Sequence, residues 1–175
     1  MNIAVFGSAF NPPTNGHKDV IEYLLGEQQQ FEQILLVPSF EHAFAKKMIP
    51  YQHRVNMLQL FVDELNNEKV IALPVEDIIS DGQRPVYTYD LMHYLQQALY
   101  PTDSLSFIIG PDNVDNWHRF YRADDIMQRW QRLVVPERID VRATYVREGI
   151  EKGNDIKGLL PASVYDYITK NKLYA

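Results

Sequence analysis

The reading of this chain turns on Ile3-Ala4-Val5-Phe6-Gly7-Ser8-Ala9-Phe10-Asn11-Pro12-Pro13-Thr14-Asn15-Gly16-His17. Ile3 to Phe6 form a continuous apolar run ended by Gly7, the pattern of a strand buried on both faces in a parallel sheet. After Gly16 the period changes. Val20, Ile21, Leu24 and Leu25 recur at helical spacing, which predicts a helix from near Gly16 to about Gly26. The turn between them matches neither the P-loop, because Lys18 follows His17 instead of a glycine, nor the G-x-G-x-x-G spacing of dinucleotide folds. Its physics is still that of an anion site. Gly7 lets backbone approach a ligand, and a helix head presents unpaired N–H groups and a positive dipole end.

Working outward, Ile34 to Val37 reads as a second buried strand closed by Pro38, completing a strand-helix-strand unit. Val55, Leu58, Val62 and Leu65 mark a helix, Val70 to Leu73 a strand, and Leu91, Leu95, Ala98 and Leu99 a further helix. Leu105 to Ile109 predicts a strand ending at Gly110, and Leu133 to Val135 a last strand. Short helices follow from about Thr144 and from Pro161. The alternation implies an α/β fold, a Rossmann-like doubly wound parallel sheet of about five strands with helices on both faces, in a single domain over residues 1–175. Ligands of such sheets bind beyond the carboxyl ends of the strands, here Gly7, Pro38, Pro74, Gly110 and Pro136.

Composition narrows the function classes. The 175 residues are 46% apolar and 23% charged, ordinary for a globular protein. There is no cysteine, so disulfides, thiolate metal sites and Cys nucleophiles drop out, and a metal would have to sit on oxygen or imidazole. A net charge of −6 with dispersed basic residues argues against nucleic acid as a partner. No run of about 18 apolar residues is present to span a membrane. Met1 to Phe6 does not read as a signal peptide, which leads to the expectation of a cytoplasmic protein with small-molecule ligands.

Several residues can carry chemistry. Thr14 and His17, three apart, can face one ligand at the helix head; alternatively Thr14 only caps the helix and His17 opens its apolar face with Val20, Ile21 and Leu24. Thr144 and Arg147 repeat the spacing, a cap followed by a guanidinium that can grip phosphate oxygens, or else an ordinary surface helix start. Lys46, Lys47 and Arg54 can neutralise a phosphate or be solvated. Asp112, just past a strand end, can bind a ribose hydroxyl or a hydrated metal ion, or cap a helix. Trp117 can stack on a flat ring or pack in the core. His42, His53, His93 and His118 have no ligand spacing and read as structural.

Gly7, Ala9, Phe10, Pro12, Thr14, Gly16 and His17 together resemble the G-x-F-x-P-x-[HT]-x-G-H signature of the nucleotidyltransferase superfamily of adenylyl- and cytidylyltransferases. The more specific likeness is to bacterial nicotinate-mononucleotide adenylyltransferases. Phe107-Ile108-Ile109-Gly110-Pro111-Asp112-Asn113 is similar to their F-I-I-G-A-D-x, followed by Trp117-His118-Arg119. Tyr87-Thr88-Tyr89-Asp90 is similar to Y-T-x-D, and Gly158 to Tyr174 to the closing L-P-x-x-V-x-x-Y-I-x-x-x-x-L-Y. Thr14 stands where that family usually has His, as in pantetheine-phosphate adenylyltransferase. The second signature, I-S-S-T-x-I-R, reads Val141-Arg142-Ala143-Thr144-Tyr145-Val146-Arg147, without its serines and after a shortened connection.

The resemblance implies transfer of AMP from ATP to nicotinate or nicotinamide mononucleotide, with pyrophosphate released and Mg²⁺ carried by phosphate oxygens and water, not by protein ligands. His17 and Thr14 would be catalytic. ATP would meet Gly7, Ser8, Ala9, Phe10, Gly16, His17, Thr144 and Arg147, and the acceptor Lys47, Thr88, Asp112 and Trp117, with backbone N–H groups near Tyr87 and Thr88 on a pyridine carboxylate. Phosphopantetheine as the acceptor, or a nucleotide sensor without turnover, are the alternatives.

Overall fold

The computed structural model describes residues 1–26, 29–41 and 48–175. Five strands, β1 (Asn2–Ser8), β2 (Gln33–Pro38), β3 (Val70–Ala72), β4 (Ser104–Ile109) and β5 (Gln131–Val134), form one sheet in the order β3-β2-β1-β4-β5. Every pairing is parallel. The helices are α1 (Asn15–Leu24), α2 (Tyr51–Leu65), α3 (Glu76–Ile79), α4 (Thr88–Tyr94), α5 (Pro111–Asp115), α6 (Ala123–Arg129), α7 (Ala143–Glu151) and α8 (Ala162–Asn171). The architecture is the expected α/β, Rossmann-like one.

Side chains along a strand alternate between the faces of a sheet, so the apolar run of β1 serves two cores. Ala4, with Ile34, Leu36 and Ile108, packs under Ile21 and Leu24 of α1, Met57 and Phe61 of α2, Val146 of α7 and Val164 of α8. Ile3 and Val5, with Leu35, Phe107 and Ile109, meet Leu91 and Met92 of α4 and Ile126 of α6 on the other face. Each fully buried Leu, Ile or Phe contributes roughly 1.5–3 kcal/mol over exposure, so these two layers carry most of the favourable energy of folding.

Element boundaries depart from the periodicity at three places. β1 continues through Gly7 to Ser8, which pair with Val37 and Pro38. The last strand is Gln131–Val134 and not Leu133 to Val135, because an edge strand half open to solvent has no apolar run to mark it. α3, α5 and α6 are too short, at four, five and seven residues, to show a 3.6-residue period.

Arg54 of α2 ties the loops at the carboxyl edge of the sheet. It is 1% exposed. Its guanidinium donates to the carbonyls of Ala9 at 2.8 Å, Ser39 at 2.6 Å, Phe40 at 3.2 Å and Ile49 at 3.2 Å. Of the sequence's alternatives for Arg54, neutralising a phosphate or being solvated, the structure shows neither: four of its five N–H donors are used within the chain. Glu76 completes the tie, accepting the Phe40 N–H at 2.8 Å, and burial pushes its carboxyl up to about 7. Arg54→Met keeps an unbranched, largely apolar side chain but leaves four carbonyls without their donor. It is expected to cost at least about 3 kcal/mol in urea unfolding, and a loss under about 1 kcal/mol would contradict this role.

Candidate active site

The strand order reverses between β1 and β4, and in sheets of this kind the crevice beyond the carboxyl ends opens there. A cavity of about 380 Å³ lies at that point. It is walled by Ser8 of β1, by Thr14, Gly16 and His17 at the head of α1, by Gly110 and Asp112 after β4, and by Arg142 before α7.

Thr14 is both the cap of α1 and part of the cavity wall. Its Oγ1 accepts the N–H groups of Gly16 at 3.1 Å and His17 at 3.4 Å. The His17 ring answers in the manner of a capping box, its Nδ1 accepting the Thr14 N–H at 3.0 Å. A backbone N–H can only donate, so Nδ1 carries no proton and the neutral ring holds its proton on Nε2. That atom lies 3.2 Å from Ser8 Oγ. Phe6 and Phe10 flank the ring at centroid distances of 6.0 and 4.8 Å. Burial lowers the imidazole from 6.5 to about 4. At neutral pH His17 is therefore an uncharged donor aimed at the cavity.

The turn ahead of α1 is fixed from behind. Phe10 is fully buried at φ 47°, a left-handed conformation that a bulky residue keeps only when its surroundings hold it there. In a trans peptide the C=O and N–H point opposite ways. With the Ala9 carbonyl turned onto Arg54, the Phe10 N–H faces Ser8 Oγ, 3.5 Å away. Of Phe10, therefore, the backbone N–H turns to Ser8, which lines the cavity, while the side chain belongs to the core. The Asn11-Pro12 peptide is cis.

The glycines differ in what they permit. A Cβ on Gly7 would meet nothing closer than 3.9 Å, so packing within the chain does not require glycine there. A Cβ on Gly16 would overlap the Val141 carbonyl. Only glycine lets the chain before α7 lie against the head of α1.

α7 begins at Ala143 with Arg142 as its cap residue, so Thr144 is the second helical residue and not the cap. Thr144 Oγ1 instead accepts Arg147 Nη2 at 3.2 Å, while Arg147 Nη1 donates to the Asn11 carbonyl at 2.8 Å. Arg147 thus reaches the β1–α1 turn, with part of its fork holding that turn. Arg142 was not singled out by sequence, although it fills a lost serine position of the second signature. It lines the cavity and bridges Asp112 at 3.2 Å and Glu137 at 2.8 Å. Arg138 likewise grips Asp19 with bonds of 2.9 and 3.0 Å.

The acceptor residues expected from sequence do not all gather. Asp112, second in α5 behind Gly110, faces the cavity through its pair with Arg142. Trp117 does not line the cavity. Its ring stacks on Phe120 at 4.5 Å, the Arg132 guanidinium lies 5.0 Å from its centroid, and its Nε1 is buried without a partner. Thr88, first residue of α4, is also outside the cavity lining. The Tyr87 N–H is not open to a ligand, since it donates to Asp90 Oδ2 at 3.1 Å. Lys47, with Lys46 and His42, lies outside the described residues. Among the described residues, no group of three or more His, Asp or Glu is placed to hold a metal, and no helix is long and apolar enough to cross a membrane.

The His17 geometry fixes a titration. The unfolded chain takes up a proton near pH 6.5 that the folded ring refuses until about pH 4, so this group withdraws stability as pH falls through that window. Nitrogen-correlated NMR of the imidazole is expected to show the Nε2–H tautomer at pH 7 and a midpoint below 5. A midpoint near 6.5 would contradict the assignment.

Known proteins match this chain along most of its length. A cytidylyltransferase-like family model matches residues 5–150, which include the β1–α1 turn, Asp112 and Arg147. A Streptococcus pyogenes protein assigned as a nicotinate-nucleotide adenylyltransferase is 31% identical over 98% of this chain and 88% of its own length. A Chlorobium phaeobacteroides protein of the same assignment is 26% identical over 99% of this chain and 100% of its own. Among solved structures, one assigned as the Vibrio parahaemolyticus nicotinate-nucleotide adenylyltransferase superposes with a TM-score of 0.86 at 34% identity, covering 99% of this chain and 94% of that one. The fold extends to the Plasmodium falciparum nicotinic acid mononucleotide adenylyltransferase, solved with NaAD, at a TM-score of 0.78 and 19% identity over 99% of this chain and 97% of that one. With its signature turn at the β1–β4 crevice and whole-length relatives sharing that plan, the chain belongs to the cytidylyltransferase-like family.

Proposed function

We propose that this chain transfers the adenylyl group of ATP to nicotinate mononucleotide in NAD biosynthesis, with residues 1–175 acting as one cytoplasmic catalytic domain. The observation that carries this reading is the uncharged Nε2–H of His17 beside Ser8 at the head of α1, facing the cavity of the β1–β4 crevice. The acceptor class follows from the relatives assigned as nicotinate-nucleotide adenylyltransferases over the whole chain.

In the reaction an acceptor phosphate oxygen forms a bond to the α-phosphorus of ATP as the bond from that phosphorus to its bridging oxygen breaks. The electron pair leaves with pyrophosphate. A phosphate monoester is nucleophile enough, so the protein's part is to align two anions and offset the charge that builds on them. His17 Nε2–H exchanges Ser8 Oγ for a phosphate oxygen, and Thr14 Oγ1 and the Phe10 N–H stand beside it. Arg147 has five donors, of which two are used within the chain, and the others suit the outer phosphates. Arg142 is held only by an exposed pair of carboxylates and can trade them for phosphate at little cost.

Mg²⁺ fits on the nucleotide. Asp19 is held by Arg138, and no group of three or more His, Asp or Glu gathers among the described residues, so coordination would fall to phosphate oxygens and water, and the ion when bound would offset phosphate charge. For the acceptor, Trp117 supplies an indole face by exchanging Arg132 for the pyridine ring. The Thr88 N–H, without a partner inside its helix, suits the ring carboxylate, and the amide would present a donor to it. Thr14-Asn15 favours phosphopantetheine as a second reading, and the altered second signature a sensor without turnover.

With ATP and Mg²⁺, pyrophosphate is expected to form faster with nicotinate mononucleotide than with nicotinamide mononucleotide or phosphopantetheine. Fastest turnover of phosphopantetheine would transfer the assignment to that acceptor, and no pyrophosphate with any of the three would favour the sensor. His17→Ala is expected to lower kcat at least about a hundredfold with the fold intact, as removal of one charge-stabilising donor does. Turnover within a few-fold of wild type would remove His17 from the chemistry. Arg147→Ala is expected to raise the KM for ATP more than that for the acceptor; a rise confined to the acceptor would reverse its placement.

A further inference from the structure

We propose that Tyr174 is a positioning residue that holds the β1–α1 turn in its working conformation, and that adenylyl transfer depends on its hydroxyl. This rests on the adenylyltransferase reading above. Tyr174 lies 163 positions from Asn11 in sequence, yet its hydroxyl donates to Asn11 Oδ1 at 2.7 Å. Asn11 is 4% exposed, so that oxygen has no recourse to bulk water. The backbone carbonyl of the same residue is taken by Arg147 at 2.8 Å. Both oxygens of Asn11 are therefore pulled back into the protein by donors from two distant elements.

The chain reaches this position by a specific route. α8 closes with Lys172 at φ 50°, the Leu173 N–H turns back to the Ile168 carbonyl at 3.1 Å, and Tyr174 itself sits at φ 64°. A positive φ at a bulky residue disfavours the conformation unless contacts hold it, and the Asn11 bond is the polar contact found there. One residue before Asn11, Phe10 also has positive φ, and its N–H faces the hydroxyl of Ser8, which lines the cavity. Packing alone would be served by a phenylalanine at 174. The hydroxyl's function is to satisfy Asn11 and so to keep the peptides at 9–11, and with them Phe10 N–H and Thr14, in register with the phosphates. Alignment of two anions acts on the rate more than on affinity.

The test uses the full chain with ATP, Mg²⁺ and nicotinate mononucleotide, comparing Tyr174→Phe, Asn11→Ala and the double variant. Tyr174→Phe is expected to stay folded by circular dichroism, to lose roughly tenfold in kcat, and to keep the KM for ATP within about twofold. The double variant is expected to be no slower than Asn11→Ala, because both changes break one bond. Wild-type kcat in Tyr174→Phe, or losses that multiply in the double variant, would overturn the proposal. Hydrogen exchange of the Phe10 and Thr14 amides provides a readout that needs no turnover. It is expected to quicken about tenfold or more in Tyr174→Phe, and unchanged exchange would overturn the proposal. An inactive wild-type protein would count against the adenylyltransferase reading alone, since the exchange result stands apart from it.

Discussion

The head of α1 and the chain before α7 lie closer together than a methyl group would allow, and the cavity depends on that contact. Gly16 is the residue that permits it, because any side chain there would run into the Val141 carbonyl. Through this contact the two signature segments share one wall: Thr14 and His17 come from one, and Arg142, 128 and 125 residues further on, from the other. Gly7 makes no such demand, although it stands in the same motif. Sequence weighs the two glycines alike, while packing separates them.

Behind that wall the polar groups are sorted by direction. Carbonyls of the turn point inward, onto Arg54 and Arg147, and the Asn11 side chain points to Tyr174. What remains on the cavity side is the Nε2–H of His17 beside Ser8 Oγ, while the Thr14 hydroxyl lends its one proton to His17 Nδ1. The ring's neutrality matters here. An imidazolium enclosed between Phe6 and Phe10 would be costly before the nucleotide arrives, whereas an uncharged N–H donor is in place at no such cost. The cations at the rim behave differently. Exposed pairs such as Arg142 with Asp112 contribute at most about 1 kcal/mol, so they can rearrange on binding while the buried Arg54 lattice stays fixed.

Much of this was legible in the sequence. The apolar run Ile3 to Phe6, the change of period after Gly16 and the repeated alternation gave the parallel sheet, and the β1–α1 turn marked the cavity. Legibility failed where a residue's role depends on what lies opposite it. Arg54 has the same letters around it whether it meets a phosphate or four carbonyls, and only the fold brings Ala9, Ser39, Phe40 and Ile49 to it. Thr144 has the character of a cap but sits two residues past the cap position of its helix. Trp117 shows the limit from the other side: its indole meets Phe120, three residues on in the same turn, but also Arg132 of β5, which no local spacing brings to it. Tyr174 stands in the closing motif, but nothing in that motif names its partner, which is at the opposite end of the chain.

The central claim is that the triphosphate sits at the head of α1 and is met by an uncharged His17. A crystal structure with a non-hydrolysable ATP analogue and Mg²⁺ tests it most directly. The phosphates are predicted to occupy the β1–β4 crevice, with His17 Nε2 moved from Ser8 Oγ to within hydrogen-bond distance of a phosphate oxygen and Nδ1 still on the Thr14 N–H. A nucleotide seated elsewhere, such as in the cavity of about 430 Å³ beside Arg84 and His93, or a His17 ring that stays on Ser8 with the nucleotide bound, would contradict it.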